Sequence, residues 1–337
     1  MTKQFRMAGI FFTSVAGLLF ARILFSQLPL SDNVGSWLFS FFFQILFMGV
    51  IPYLLYRFTI DKQWSNFRLD FSLNAKINPL LYVLAVLIGI FTFYLNTGAS
   101  AVWYVFLNQI GYTYTSSVGT IYSSPEVLVL EIITTCILPA VFEEITDRGL
   151  LTGLFREEKN DTAVILLIGL SFGLWHQNVP QLIPTMVGGF VMAFMAVKCG
   201  SILPGMIVHF LNNFIITMVG YSAQKGGGFY AFYNTMMNAF SQNILFLVLS
   251  WAVAGAILSA LLRTFERLGR PDRDRLYPTR PALQGRVTFY EIFGVGEPEF
   301  SLPVRPAPAK WVYALFYAAL VVASLTTLFT FIWGLLR

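Results

Sequence analysis

Charge is scarce in this chain. Only 12% of its 337 residues are Asp, Glu, Lys or Arg, against about 25% in ordinary soluble domains. With 56% hydrophobic residues, that shortage excludes a water-soluble globular domain and leaves a polytopic membrane protein, whose helices pack against lipid and one another. Cysteine is almost missing. Cys136 and Cys199 lie in or at the end of apolar segments, which rules out a disulfide framework or a zinc ribbon. Histidine is as rare, with His176 and His209 alone. No Gly-x-Ser-x-Gly elbow and no His-Glu-x-x-His occur, and the Gly226-Gly227-Gly228 run lacks the Gly-Lys-Ser/Thr ending of a phosphate loop. The formal charge of +5 reports topology in so apolar a chain, not nucleic-acid binding.

What is present is a series of apolar runs long enough to cross about 30 Å of hydrocarbon. They fall near 8–28, 36–57, 78–97, 126–155, 162–179, 181–198, 202–220, 244–264 and 311–335, an all-α bundle of about eight or nine spans. The apolar patch at 101–110 fits an interfacial helix. Lys3 and Arg6 precede a first run longer than a signal-peptide core, and no small-x-small cleavage site follows. Basic residues cluster in alternate connections, as the positive-inside rule requires. Arg57, Lys62, Arg68, Lys76, Arg156, Lys159, Lys198 and the basic stretch from Arg263 to Lys310 share the side of the N-terminus, and only Lys225 lies opposite. The N-terminus and the 265–310 loop are therefore expected in the cytoplasm. Arg22 falls inside a span and is expected to snorkel or pair.

Four regions follow: a two-span part over 1–77, a core over 78–264, a Pro-rich loop over 265–310 and a last span over 311–337. The loop has a β-like run at Arg286–Phe293, read as one hairpin in a linker. Gly226–Gly228 is expected to be a flexible external turn.

Three polar motifs interrupt the apolar core. The first, Glu143-Glu144-x-x-x-Arg148, sets Glu144 and Arg148 four apart on one helical face, with Glu143 turned about 100° from Glu144. Pro139 should free the carbonyl of Thr135 and loosen the helix one turn earlier. The second and third are Phe172-x-x-x-His176 and His209-x-x-x-Asn213, again four-residue pairs. Ionisable side chains at membrane depth are costly and pair or carry function. Glu143 and His176 lie roughly 22 and 27 Å along antiparallel helices from a shared turn near Arg156–Asp161, so they can meet at similar depth. His209 needs a tilt or a broken segment near Pro204 to join them. Asp147 shares the face of Glu143 and has no assigned role. Gly149/Gly153 and Gly169/Gly173 read as packing contacts.

A carboxylate beside an imidazole can activate water, and a His with an Asn can donate to the oxyanion formed when that water attacks an amide. Ser/His and Cys/His nucleophilic catalysis is not supported. Glu143, His176 and His209 would also supply the ligand types for a zinc ion.

The ordered trio, on successive apolar segments over 143–213, resembles the CPBP (Abi) family of CAAX-prenyl-protease and bacteriocin-processing intramembrane endopeptidases. The resemblance implies a glutamate-dependent protease in a bacterial cytoplasmic membrane, acting without cofactor on a membrane-associated peptide or protein. Carried over by matching positions, Glu143 is the base, His176 its partner at the water, and His209 and Asn213 the oxyanion pair, with Asn212 a substitute. Glu144 and Arg148 form the supporting ion pair, and Phe172 opens the second motif. The alternatives are a zinc-dependent variant, a non-proteolytic immunity factor, or a transporter, for which no internal inverted repeat is visible. Lipid and the peptide substrate are the expected partners. The Pro-rich loop and last span have no counterpart in the motifs.

Overall fold

A computed structural model describes residues 1–30, 32–113, 120–158, 160–277 and 309–336. Among these residues the chain is helical, without strands. Eight helices are long and apolar enough to cross a membrane: Lys3–Ser26, Asn33–Thr59, Leu80–Gln109, Pro125–Leu154, Val179–Cys199, Leu203–Gln224, Ile244–Leu276 and Lys310–Leu335. Asp161–Trp175 is a ninth, shorter apolar helix. The outer surface is correspondingly greasy, with Val83, Phe232, Val248, Leu249, Val253, Leu325 and Phe329 all exposed. The protein is an integral membrane protein.

Two apolar clusters organise the bundle. One gathers Met7, Phe11, Phe43, Leu150, Trp175 and Phe316 around the N-terminal helix. Phe11 meets Trp175 and Phe316 in tilted ring contacts with centroids 5.3 and 5.6 Å away, so the first and last membrane helices pack together. The other gathers Leu81, Ile88, Phe172, Met192, Val208 and Phe265 around Leu80–Gln109. The polar motifs lie on the seam, since Phe142 and Ile145 belong to the first cluster and Phe172 and Val208 to the second.

Asp161–Trp175 and Val179–Cys199 form a tight antiparallel hairpin. A Cβ on Gly189 would sit 2.9 Å from the Gly169 carbonyl oxygen, and one on Gly169 would run into Phe190. At the far end of this hairpin Lys198 Nζ meets Asp161 Oδ2 at 3.2 Å. Gly149 and Gly153 pack against the backbone carbonyls of Phe71 and Asp70, at the end of the short helix Trp64–Asp70, and Gly153 also meets the Met7 side chain of the first span.

Several boundaries differ from expectation. The 101–110 patch is no separate interfacial helix but the last part of Leu80–Gln109. Gly226 turns the chain with φ of 67°, and a further helix, Gly228–Gln242, follows directly. The span expected over 244–264 extends as helix to Leu276 through Pro271. Proline removes only one backbone donor, and side chains hold the extension. Lys198 Nζ reaches Glu266 at 3.1 Å, Asp272 accepts from the Asn78 backbone N–H at 2.6 Å, and Arg273 Nη1 lies 3.5 Å from Asp161. The Arg286–Phe293 run lies outside the described residues.

Candidate active site

Residues Pro125–Leu154 form one long helix that departs twice from α geometry. Wide π turns occupy Ile132–Ile137 and Glu144–Gly149, and Asn33–Thr59 has another over Phe42–Val50. Such turns re-aim side chains and recur at functional sites. Pro139 has no N–H for the Thr135 carbonyl, and the Asn213 amide supplies one instead, donating through Nδ2 at 2.9 Å. This bond ties the third motif to the kink before the first.

The adjacent glutamates have different surroundings. Glu144 is fully buried. Its Oε1 accepts from Arg148 Nη1 at 2.6 Å and from His209 Nδ1 at 2.9 Å. Its Oε2 faces Gly205, where a Cβ would come within 3.1 Å. Glu143 is 12% exposed at its side chain, and its Oε2 stands 3.8 Å from His209 Nε2. Its Oε1 accepts from Gln44 Nε2 at 2.7 Å.

Arg148 is buried completely. Besides Glu144, its Nε lies 3.3 Å from Asp147 Oδ2, and its guanidinium sits 3.8 Å over the Phe172 ring. Asp147, which had no role in the sequence, is fully buried and also accepts from Ser171 Oγ at 2.9 Å. Phe172 is the hub of the second motif. Its ring meets those of His176 and His209 edge-on, with centroids 4.7 and 5.7 Å away.

The histidine tautomers follow from their partners. His176 Nδ1 lies 2.8 Å from the Phe172 carbonyl oxygen, which can only accept, so Nδ1 carries the proton and Nε2 is left for other work. His209 Nδ1 likewise donates to Glu144, and its Nε2 faces Glu143. For that Nε2 to donate to an oxyanion, the ring must hold both protons.

Arg22 neither snorkels nor pairs with a carboxylate among the described residues. Its Nη2 and Nη1 donate to the carbonyls of His176 and Gln177 at 2.8 and 3.4 Å. This caps the helix end that Gln177, at φ of 46°, terminates. Asn212 faces away from Asn213's partner, donating to Val208 and accepting from Asn96.

The structure thus brings Glu143, Glu144, Arg148, Phe172 and His209 into one contact network, holds His176 beside it through Phe172, and ties Asn213 to the kink. Among the described residues no three His, Cys, Asp or Glu side chains gather closely enough to hold a metal ion. Glu143, His176 and His209, the ligand types of the zinc alternative, do not form such a group. Gln44 is the site residue that sequence reasoning missed. Its signal was a single amide inside the apolar run Phe41–Phe47.

Residues 125–215 match the family model described as Type II CAAX prenyl endopeptidase Rce1-like. The matched stretch holds all three motifs and excludes Gln44 and Arg22. No curated protein and no solved structure matches the chain.

Proposed function

We propose that this protein is an intramembrane endopeptidase that cleaves a membrane-associated peptide or protein, with a CAAX-type prenylated tail as the first substrate class, using water activated by Glu143. The observation that carries the reading is the division between adjacent carboxylates. Glu144 is committed to Arg148 and His209, whereas Glu143 has no Lys or Arg partner among the described residues and its Oε2 stands 3.8 Å from His209 Nε2. A carboxylate so held can accept a proton from water.

In this mechanism Glu143 takes the proton as water attacks the scissile carbonyl, with His176 as its partner beside the water. Doubly protonated His209 and the second Nδ2–H of Asn213 donate to the developing oxyanion. Glu143 then returns its proton to the leaving amine. Glu144, Arg148 and Asp147 hold His209 and the helix that carries Glu143. The chemistry takes place in the bacterial cytoplasmic membrane, with the N-terminus and the 265–310 loop in the cytoplasm. The match over 125–215 to CAAX prenyl endopeptidases supports the substrate class.

The test is turnover of a fluorogenic prenylated CAAX peptide, a leader peptide and a transmembrane peptide by wild type and Glu143→Gln, with metal content measured on both. Loss of cleavage by the folded variant is expected. Normal turnover by Glu143→Gln overturns the reading.

A further inference from the structure

We propose that Gln44 is a positioning residue for the hydrolytic water and its base. The inference rests on the reading of Glu143 as that base. Gln44 projects from the wide π segment Phe42–Val50 of a helix outside the matched 125–215 stretch. It is 5% exposed, its Nε2 donates to Glu143 Oε1 at 2.7 Å, and its own Oε1 is buried without a hydrogen-bond partner. A buried amide oxygen left without a donor is costly, so the orphan acceptor beside a carboxylate marks a place for a donor.

The helices of Gln44 and Glu143 run alongside each other in the same direction. Ser40 Oγ donates to the Thr134 carbonyl at 2.7 Å, Gln44 meets Glu143, and Thr146 Oγ1 donates to the Met48 carbonyl at 2.8 Å. Burial and the bond to Glu143 hold the Gln44 side chain. Its amide holds the base at Oε1 and directs the other oxygen, Oε2, toward His209.

A water between the two side chains would then have an acceptor for each hydrogen, Glu143 Oε2 for one and Gln44 Oε1 for the other. Its lone pair is left to face the substrate carbonyl carbon. In the attack, the O–H bond to Glu143 breaks, its proton passes to Oε2, and the oxygen–carbon bond forms. Later the amide C–N bond breaks and Glu143 protonates the leaving nitrogen. Gln44 gains and loses no proton; it sets direction, for which an amide suffices where a third ionisable group would add charge in lipid.

The experiment compares wild type, Gln44→Met, Ser40→Ala and Glu143→Gln as full chains in detergent, on a fluorogenic prenylated CAAX peptide. Methionine keeps length and volume but removes the strong donor and acceptor. Gln44→Met is expected to lower kcat by about 10- to 100-fold, the range for a hydrogen bond to a charged group, with KM and the unfolding midpoint unchanged. Ser40→Ala removes a bond between the same helices and should leave kcat within about twofold. An unchanged kcat in Gln44→Met, or a drop matched by Ser40→Ala or by lost folded fraction, overturns the proposal. Infrared spectroscopy supplies a readout that needs no turnover. The Glu143 carboxylate band, found by subtracting Glu143→Gln from wild type, should move in Gln44→Met, and a band that stays in place also overturns it. Glu143→Gln separates the two readings: if it still turns over, the base assignment fails, and if it is dead while Gln44→Met is normal, only the Gln44 inference fails.

Discussion

Among the described residues, two charge clusters are built on opposite plans. At the Asp161 end of the bundle, acids are met by bases. Asp70 binds Lys3 at 2.6 Å, Arg156 at 3.2 Å and the Tyr56 hydroxyl at 2.5 Å, while Asp161 lies beside both Lys198 and Arg273. On the seam between the apolar clusters the balance is reversed. Arg148 faces both Glu144 and Asp147, and Glu143 has no Lys or Arg partner among the described residues. Polar atoms there are also left over, including Gln44 Oε1 and Glu144 Oε2. A cluster whose acids each meet a cation locks helices together. One with surplus carboxylate and orphan acceptors stores the capacity to take protons, and its folding cost must be met by the packing around it.

That contrast can be broken by substitution. The largest stability effect is expected from Arg148→Met, which leaves Glu144 and Asp147 buried with no cation. A loss of about 3 to 5 kcal/mol is expected, read as a lower unfolding midpoint in detergent, and an unchanged midpoint would show that histidine protonation alone neutralises the site. Asn213→Ala acts next, on rate more than on fold. If its second N–H serves the oxyanion, kcat should fall by about 100- to 1000-fold, with a further stability cost of about 1 kcal/mol for the unpaired Thr135 carbonyl. A stability loss without a rate loss would make Asn213 only a brace for the kink. Arg22→Met removes the cap on His176 and Gln177 and should cost about 0.5 to 2 kcal/mol. The measurement that sharpens this case is hydrogen exchange at the end of the Asp161–Trp175 helix, which should quicken there and not at the Asp70 cluster.

Much of this was legible in the sequence, for a physical reason. Lipid demands long apolar runs, so the helices announced themselves, and four-residue spacing put Glu144 with Arg148 on one helical face. Spacing within a helix says nothing about how that helix is rotated against its neighbours. Gln44 therefore gave no sign of its partner, and the Arg22 guanidinium could not be traced to the carbonyls of His176 and Gln177. Proline at 271 was read as part of a loop because the bonds that retain the helix come from residues as distant as Asn78 and Asp161. Asp147 kept its role hidden for the same reason, since Ser171 stands on another helix.

The most direct test sets one carboxylate of each cluster against the other: Glu143→Gln and Asp70→Asn, each measured for kcat on a cleavable peptide and for unfolding midpoint. Glu143→Gln should lose about 100- to 10,000-fold in kcat at an unchanged midpoint. Asp70→Asn should lose about 1 to 3 kcal/mol of stability while its folded fraction keeps wild-type kcat. A Glu143→Gln protein that cleaves normally, or an Asp70→Asn protein that is stable but inactive, would contradict the account.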